Sequence, residues 1–162
     1  MWFPDGRRVL INGTRSGQNI RSYIQAVDGG APRELTPENI WATSISPDGE
    51  WVATVGTDQG TSLWPVAGGD PRPVLSSEPG DRAVAWTADG RRLWIFRRGQ
   101  VPAEVLQLEI VTGERRLWKT LSPADATGVY SINDFKVTRD GRAYFYSYKR
   151  VLSQLYVVSG LK

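Results

Sequence analysis

The sequence contains no cysteine and no histidine, and a single methionine. The missing cysteines exclude disulfides, so the redox compartment cannot be read from them. Both absences together exclude zinc sites built from nitrogen and sulfur ligands, Ser–His–Asp triads and cysteine nucleophiles. No apolar run approaches the ~18–20 residues that cross a bilayer, and residues 1–6 lack the basic-then-apolar layout of a secretory leader. No segment sustains a 3.6-residue period. With 17 glycines and 10 prolines in 162 residues, long helices are interrupted too often to form. Only residues 123–127 have room for one helical turn. Charge is nearly balanced, 20 basic against 17 acidic residues for a net +3. Its densest spots are Arg7-Arg8, Arg91-Arg92, Arg97-Arg98 and Arg115-Arg116, two of them at one position of a repeat. That recurrence reads as solvated turn edges, and no nucleic-acid partner is expected.

What is present is an internal repeat. Phe3-Pro4-Asp5-Gly6, Ser46-Pro47-Asp48-Gly49, Thr87-Ala88-Asp89-Gly90 and Thr138-Arg139-Asp140-Gly141 each precede an apolar strand. Their Asp-Gly steps lie 43, 41 and 51 residues apart, close to the ~40–45 residues of one four-stranded propeller blade. The longer third spacing suggests an inserted loop within residues 121–134. Asp-Gly between apolar stretches signals a hairpin, expected as a type I′ turn with positive φ at both central residues. A second strand follows at 20–27, 61–66, 104–110 and 154–158. Short outer strands are expected at 32–36, 71–75 and 114–118, and Pro71 and Pro73 place the middle one at an exposed edge. The strands leading into the turns, 40–45, 83–86 and 131–137, should be innermost. The fold class is therefore all-β, a β-propeller fragment of about four four-stranded antiparallel blades with incomplete end blades. One partial domain spans 1–162, in units of about 1–39, 40–78, 79–128 and 129–162, with three, four, four and three strands. Such an arc reads as part of a six- to eight-bladed ring whose open edges invite self-association or the missing blades.

Asp5, Asp48, Asp89 and Asp140 could suggest a carboxylate ring. Each precedes Gly6, Gly49, Gly90 or Gly141, and aspartate is favoured in such turns for its own backbone bonds, so these eight are read as structural. The seven tryptophans are read as packing between blades, with one of Trp2, Trp64 and Trp118 exposed. Asn12-Gly13-Thr14 fits a glycosylation sequon but falls where the repeat needs a turn. Asp125, Tyr130, Asn133 and Asp134, in the insertion, are the candidate ligand-contact residues, because propeller connections carry recognition. No catalytic, metal or cofactor residues are assigned.

The pattern Ser46-Pro47-Asp48-Gly49, two strands, then Gly68-Gly69-Asp70-Pro71-Arg72 resembles the TolB-type "PD40" branch of WD40-like propellers. Residues 28–36 match that family's blade end, and the resemblance covers nearly the whole chain. Residues 146–161 are similar to the C-terminus of bacterial serine/threonine kinases that carry such a propeller. That likeness implies a sensor of proteins, peptides or ligands on the extracytoplasmic side of a membrane-anchored parent. Asp134-Phe135-Lys136 is not the kinase metal-binding triplet. The resemblance leaves two other parents open: a prolyl-oligopeptidase-type peptidase and a TolB-like envelope protein.

Overall fold

A computed structural model describes residues 1–56, 60–157 and 159–160. Among these residues the secondary structure is entirely strand and turn. The first blade holds β1 (Arg8–Gly13), β2 (Arg21–Ala26) and β3 (Arg33–Glu34); the second holds β4 (Ile40–Ile45), β5 (Trp51–Gly56), β6 (Ser62–Pro65) and β7 (Arg72–Pro73). The third holds β8 (Asp81–Trp86), β9 (Arg92–Arg97), β10 (Ala103–Glu109) and β11 (Arg115–Leu121), and the fourth β12 (Val129–Val137) and β13 (Tyr144–Arg150). Pairing within each blade is antiparallel and sequential, and a single parallel bridge, Arg21 to Ile40, joins the first sheet to the second. Residues 1–3 supply a remnant of the first blade's inner strand. The Met1 amine donates to Leu10 O at 2.8 Å, the Leu10 amide returns a bond to Met1 O at 2.7 Å, and Trp2 bridges Val9.

The blades stack face to face because their second strands are apolar on both sides. Val52 of β5 packs with Phe3, Leu10 and Ile24 of the first blade, while its neighbour Ala53 packs with Ala83, Trp86 and Leu93 of the third. On β9, Leu93 and Ile95 face the second blade, and Trp94 and Phe96 face Ile132 and Phe135 of the fourth. Successive side chains of a strand point to opposite faces, so one strand serves two cores. This is why residues 51–55 and 93–96 read as continuous apolar runs rather than alternating ones.

Five expectations are corrected. The Asp-Gly turns are not type I′, since φ is positive at Gly6, Gly49, Gly90 and Gly141 and not at the preceding aspartates. Instead the Gly49 amide donates to Ser46 O at 3.0 Å across a turn begun by Pro47, and glycine then takes the left-handed conformation. The two central residues keep negative φ, and only the glycine that closes the turn takes positive φ, in the turns through Ala88 and Arg139 as in the turn through Pro47. Residues 154–157 form no strand, and residue 158 lies outside the described residues; the fourth blade therefore shows two strands. Residues 123–127 form no helix, only a turn in which the Val129 amide donates to Ala126 O. The insertion is only half loop: β11 reaches Leu121 and β12 begins at Val129, leaving residues 122–128 as the loop. The outer strands β3 and β7 shrink to two exposed residues each.

The turns also interlock. A Cβ on Gly49 would lie 3.2 Å from Pro4 Cδ, and one on Gly90 would lie 3.6 Å from Pro47 Cδ. Each proline thus covers the turn glycine of the next blade. Where Ala88 replaces proline, its free amide donates to Arg139 O at 3.1 Å, and Arg139 Nη2 reaches Ile45 O at 3.4 Å.

Candidate recognition site at the inner strands

The four turn aspartates are spent on their own loops. Ser46 Oγ donates to Asp48 Oδ1, which also accepts the Glu50 amide at 2.9 Å, while the Trp51 amide donates to Ser46 Oγ. Thr87 with Asp89 and Thr138 with Asp140 repeat the arrangement. The hydroxyl bond, then the backbone amide, holds Asp48, Asp89 and Asp140 below the ordinary carboxylate value. Phe3 offers no hydroxyl in the first unit; there the Arg7 amide, and then Arg8, hold Asp5 low. Among the described residues no group of three or more Asp or Glu side chains is placed to hold a metal ion.

The four candidate ligand residues are not one loop. Asp125 lies on residues 122–128, accepting the Thr127 amide at 2.9 Å and a bond from Arg150, and these bring its pKa down to about 2. Tyr130, Asn133 and Asp134 lie on β12 instead. Of the four, Asn133 and Asp134 meet in a cleft of about 320 Å³ between the inner strands. Ser131 Oγ donates to Asn133 Oδ1 at 2.6 Å, and Ser147 Oγ donates to Asp134 Oδ2 at 3.0 Å.

Three inner strands build this cleft, and each breaks register where it faces the opening. The irregularities fall between Ala42 and Ser44, Ala83 and Ala85, and Ile132 and Asp134. The skipped residues, Thr43, Val84 and Asn133, all line the cleft. A bulge leaves one residue unpaired and bends the strand, re-aiming its side chain. The remaining lining includes Trp41, Arg82 and Lys136. Arg82 was not singled out in the sequence, Trp41 was read as packing between blades, and Lys136 entered only in excluding the kinase triplet; the signal available was their place on or beside strands already assigned as innermost.

Two further polar nodes hold the blades in place. Asn12 bonds both backbone groups of Ala42 on β4, donating from Nδ2 to the carbonyl at 2.8 Å and accepting the amide at 3.1 Å. The sequon nitrogen is therefore committed to a blade contact. Asp81 is 1% exposed and accepts from Arg97 and Arg115, each at 2.7 Å, and from the Glu78 amide at 2.9 Å. Hydrogen bonds from Arg97 to Glu78 and Asp81 raise the Arg97 pKa.

One family, the lipoprotein LpqB β-propeller domain, has a sequence pattern that matches residues 17–156. The chain belongs to the LpqB β-propeller domain family. A search of the curated proteins finds no match. Among solved structures, TolB from Acinetobacter baumannii superposes with a TM-score of 0.65 at 15% identity, covering 91% of this chain and 42% of that one. Kuenenia stuttgartiensis hydrazine synthase gives 0.57 at 15%, covering 98% and 45%. An oligogalacturonate lyase from Vibrio parahaemolyticus gives 0.56 at 12%, covering 89% and 50%. At these identities the likeness concerns the fold, and it extends to enzymes as well as to TolB. The LpqB-type propeller described here spans about half the length of those proteins.

Proposed function

We propose that this LpqB-family propeller is a non-catalytic recognition module whose inner-strand cleft takes an acidic, acceptor-rich stretch of protein or peptide. The carrying observation is that Arg82 and Lys136, on β8 and β12, line the cleft without a carboxylate partner among the described residues. Asp134 is the single acid on the lining. Trp41 and Thr43 add a flat apolar face and a hydroxyl, which suits an extended segment. Of the parent proteins compatible with the repeat, the family match favours a lipoprotein-type envelope protein. The kinase-borne sensor rests on residues 146–161 alone, and flanking gene sequence separates the two.

The test is fluorescence anisotropy with two labelled peptides of equal length, one rich in Asp, Glu and Ser and one rich in Lys and Ser. The acidic peptide should bind more tightly, and its affinity should fall as salt rises. Replacing both Arg82 and Lys136 by alanine should weaken it by about tenfold, the scale of two partly screened charge contacts, with the melting temperature unchanged. Equal affinity for both peptides, or for the double variant, would overturn the reading.

A further inference from the structure

β13 is hydrogen-bonded to β12 on one side, and its other edge faces no strand among the described residues. Its inner face is anchored to the third blade. Tyr144 meets the Trp118 ring edge-on at 5.5 Å, and Tyr146 Oη donates to Ser122 O at 3.1 Å. Phe145, from the opposite face, is 64% exposed. An aromatic edge strand of this kind is a template for a further strand.

The residues after β13 are built like such a strand. Val151, Leu152, Leu155, Tyr156 and Val157 are all exposed, with Leu155 at 92%. Their exit direction is fixed. The Val151 amide donates to Gly128 O at 3.0 Å, Arg150 Nε donates to Thr127 O at 2.8 Å, and Arg150 also pairs with Asp125. Gly128, at φ +69°, leaves Val151 O the space a Cβ would fill. The chain therefore leaves as a continuation of β13. Residues 151–157 contain no Gly, Pro, Asn or Asp, the residues that favour a two-residue hairpin turn; Ser153 is their one turn-favouring residue, and the segment forms no strand on β13.

We propose that residues 144–157 act as one long edge strand that pairs antiparallel with the same segment of a second copy. Each tail then lies on the other copy's β13. A two-fold axis requires one residue to face itself. Placing Val151 there sets Phe145 opposite Val157 and Tyr146 opposite Tyr156, and keeps the two Arg150 side chains from facing each other. Such aromatic and β-branched cross-strand pairs are the stabilising units of a sheet. The exposed apolar side chains of this strand and tail offer at most roughly 800 Å² per copy, the scale that a standard stable interface buries. The contact is isologous and closes at two copies. Lys149 of each copy lies near the axis, so association should strengthen with salt, opposite in sign to peptide binding in the cleft.

The cysteine-free sequence makes the test direct. Val151→Cys should give a disulfide-linked dimer under mild oxidation, because a residue facing itself across an antiparallel pair is within disulfide range. Val27→Cys, exposed on the first blade, should not. Light scattering of the unmodified chain should report a dimer, Tyr156→Lys should weaken association at least about tenfold, and a chain ending at residue 151 should be monomeric. A pair of cysteines at 145 and 157 should link between copies. An intramolecular 145–157 disulfide, a monomer at high micromolar concentration, or equal dimerisation of the shortened chain would each overturn the proposal.

Discussion

Replacing Asp81 by alanine removes the buried acid that ties three segments together. Its carboxylate takes bonds from Arg97 on β9, from Arg115 on β11 and from the Glu78 amide, which begins the link into β8. Arg115 also donates to Ser76 O at 2.7 Å, so the node fixes the connection from the second blade to the third. Asp81 is fully buried, whereas the Arg97 and Arg115 side chains keep 33% and 21% of their exposure. Breaking a buried pair typically costs about 3–5 kcal/mol; partial hydration of the two arginines and the remaining Glu78 contact place this case near the lower end, about 3 kcal/mol. Urea denaturation followed by tryptophan emission reads the loss directly, as a lower midpoint with an unchanged slope. Asp81→Asn should fall between, keeping an acceptor but facing two guanidinium groups without charge. A loss under about 1 kcal/mol for the alanine variant would refute the reasoning, for it would mean that the arginines satisfy themselves equally well in water.

Gly49→Ala should cost more than Gly6→Ala. Both glycines have positive φ, which costs a residue with a side chain about 1–2 kcal/mol, but only at Gly49 does the new Cβ also press on Pro4. Equal losses in paired melts would remove the turn interlock from the account. The acid limb of stability has a fixed sign. Asp5, Asp48, Asp89, Asp125 and Asp140 all have folded values below the ordinary 3.8, so their contribution is complete above that value and is lost as pH falls through the folded values, toward about 2 for Asp125. Melting temperature should therefore drop below about pH 4 and stay level from about pH 5 to 7, since the chain has no histidine to titrate there; Asp125→Asn should flatten part of the acid drop. A sloping neutral region would contradict this.

The blade repeat was legible because Asp-Gly turns recur with apolar strands at a fixed offset, and that offset reflects two-sided burial of β5 and β9. Turn type was misread because the dipeptide alone does not say whether the aspartate or only the glycine carries positive φ; all four turns place only the glycine there, with or without a proline before the aspartate. The last strand was over-read at 154–158, where the sequence has β propensity but no partner edge reaches it among the described residues. Asn133 and Asp134 reach the cleft, although as strand residues and not as an inserted loop. Thr43 and Val84 escaped notice because a bulge is a one-residue register shift with no compositional mark. Asp81 escaped for a related reason, since its partners lie 16 and 34 residues away and sequence spacing carries no trace of them.

The most direct test of the stacked-blade arrangement is nuclear Overhauser contact between consecutive turns. Pro4 side-chain protons should contact the Gly49 α protons, Pro47 those of Gly90, and the Trp94 ring those of Gly141. Intact strand ladders without these three inter-blade contacts would contradict the arrangement on which the cleft depends.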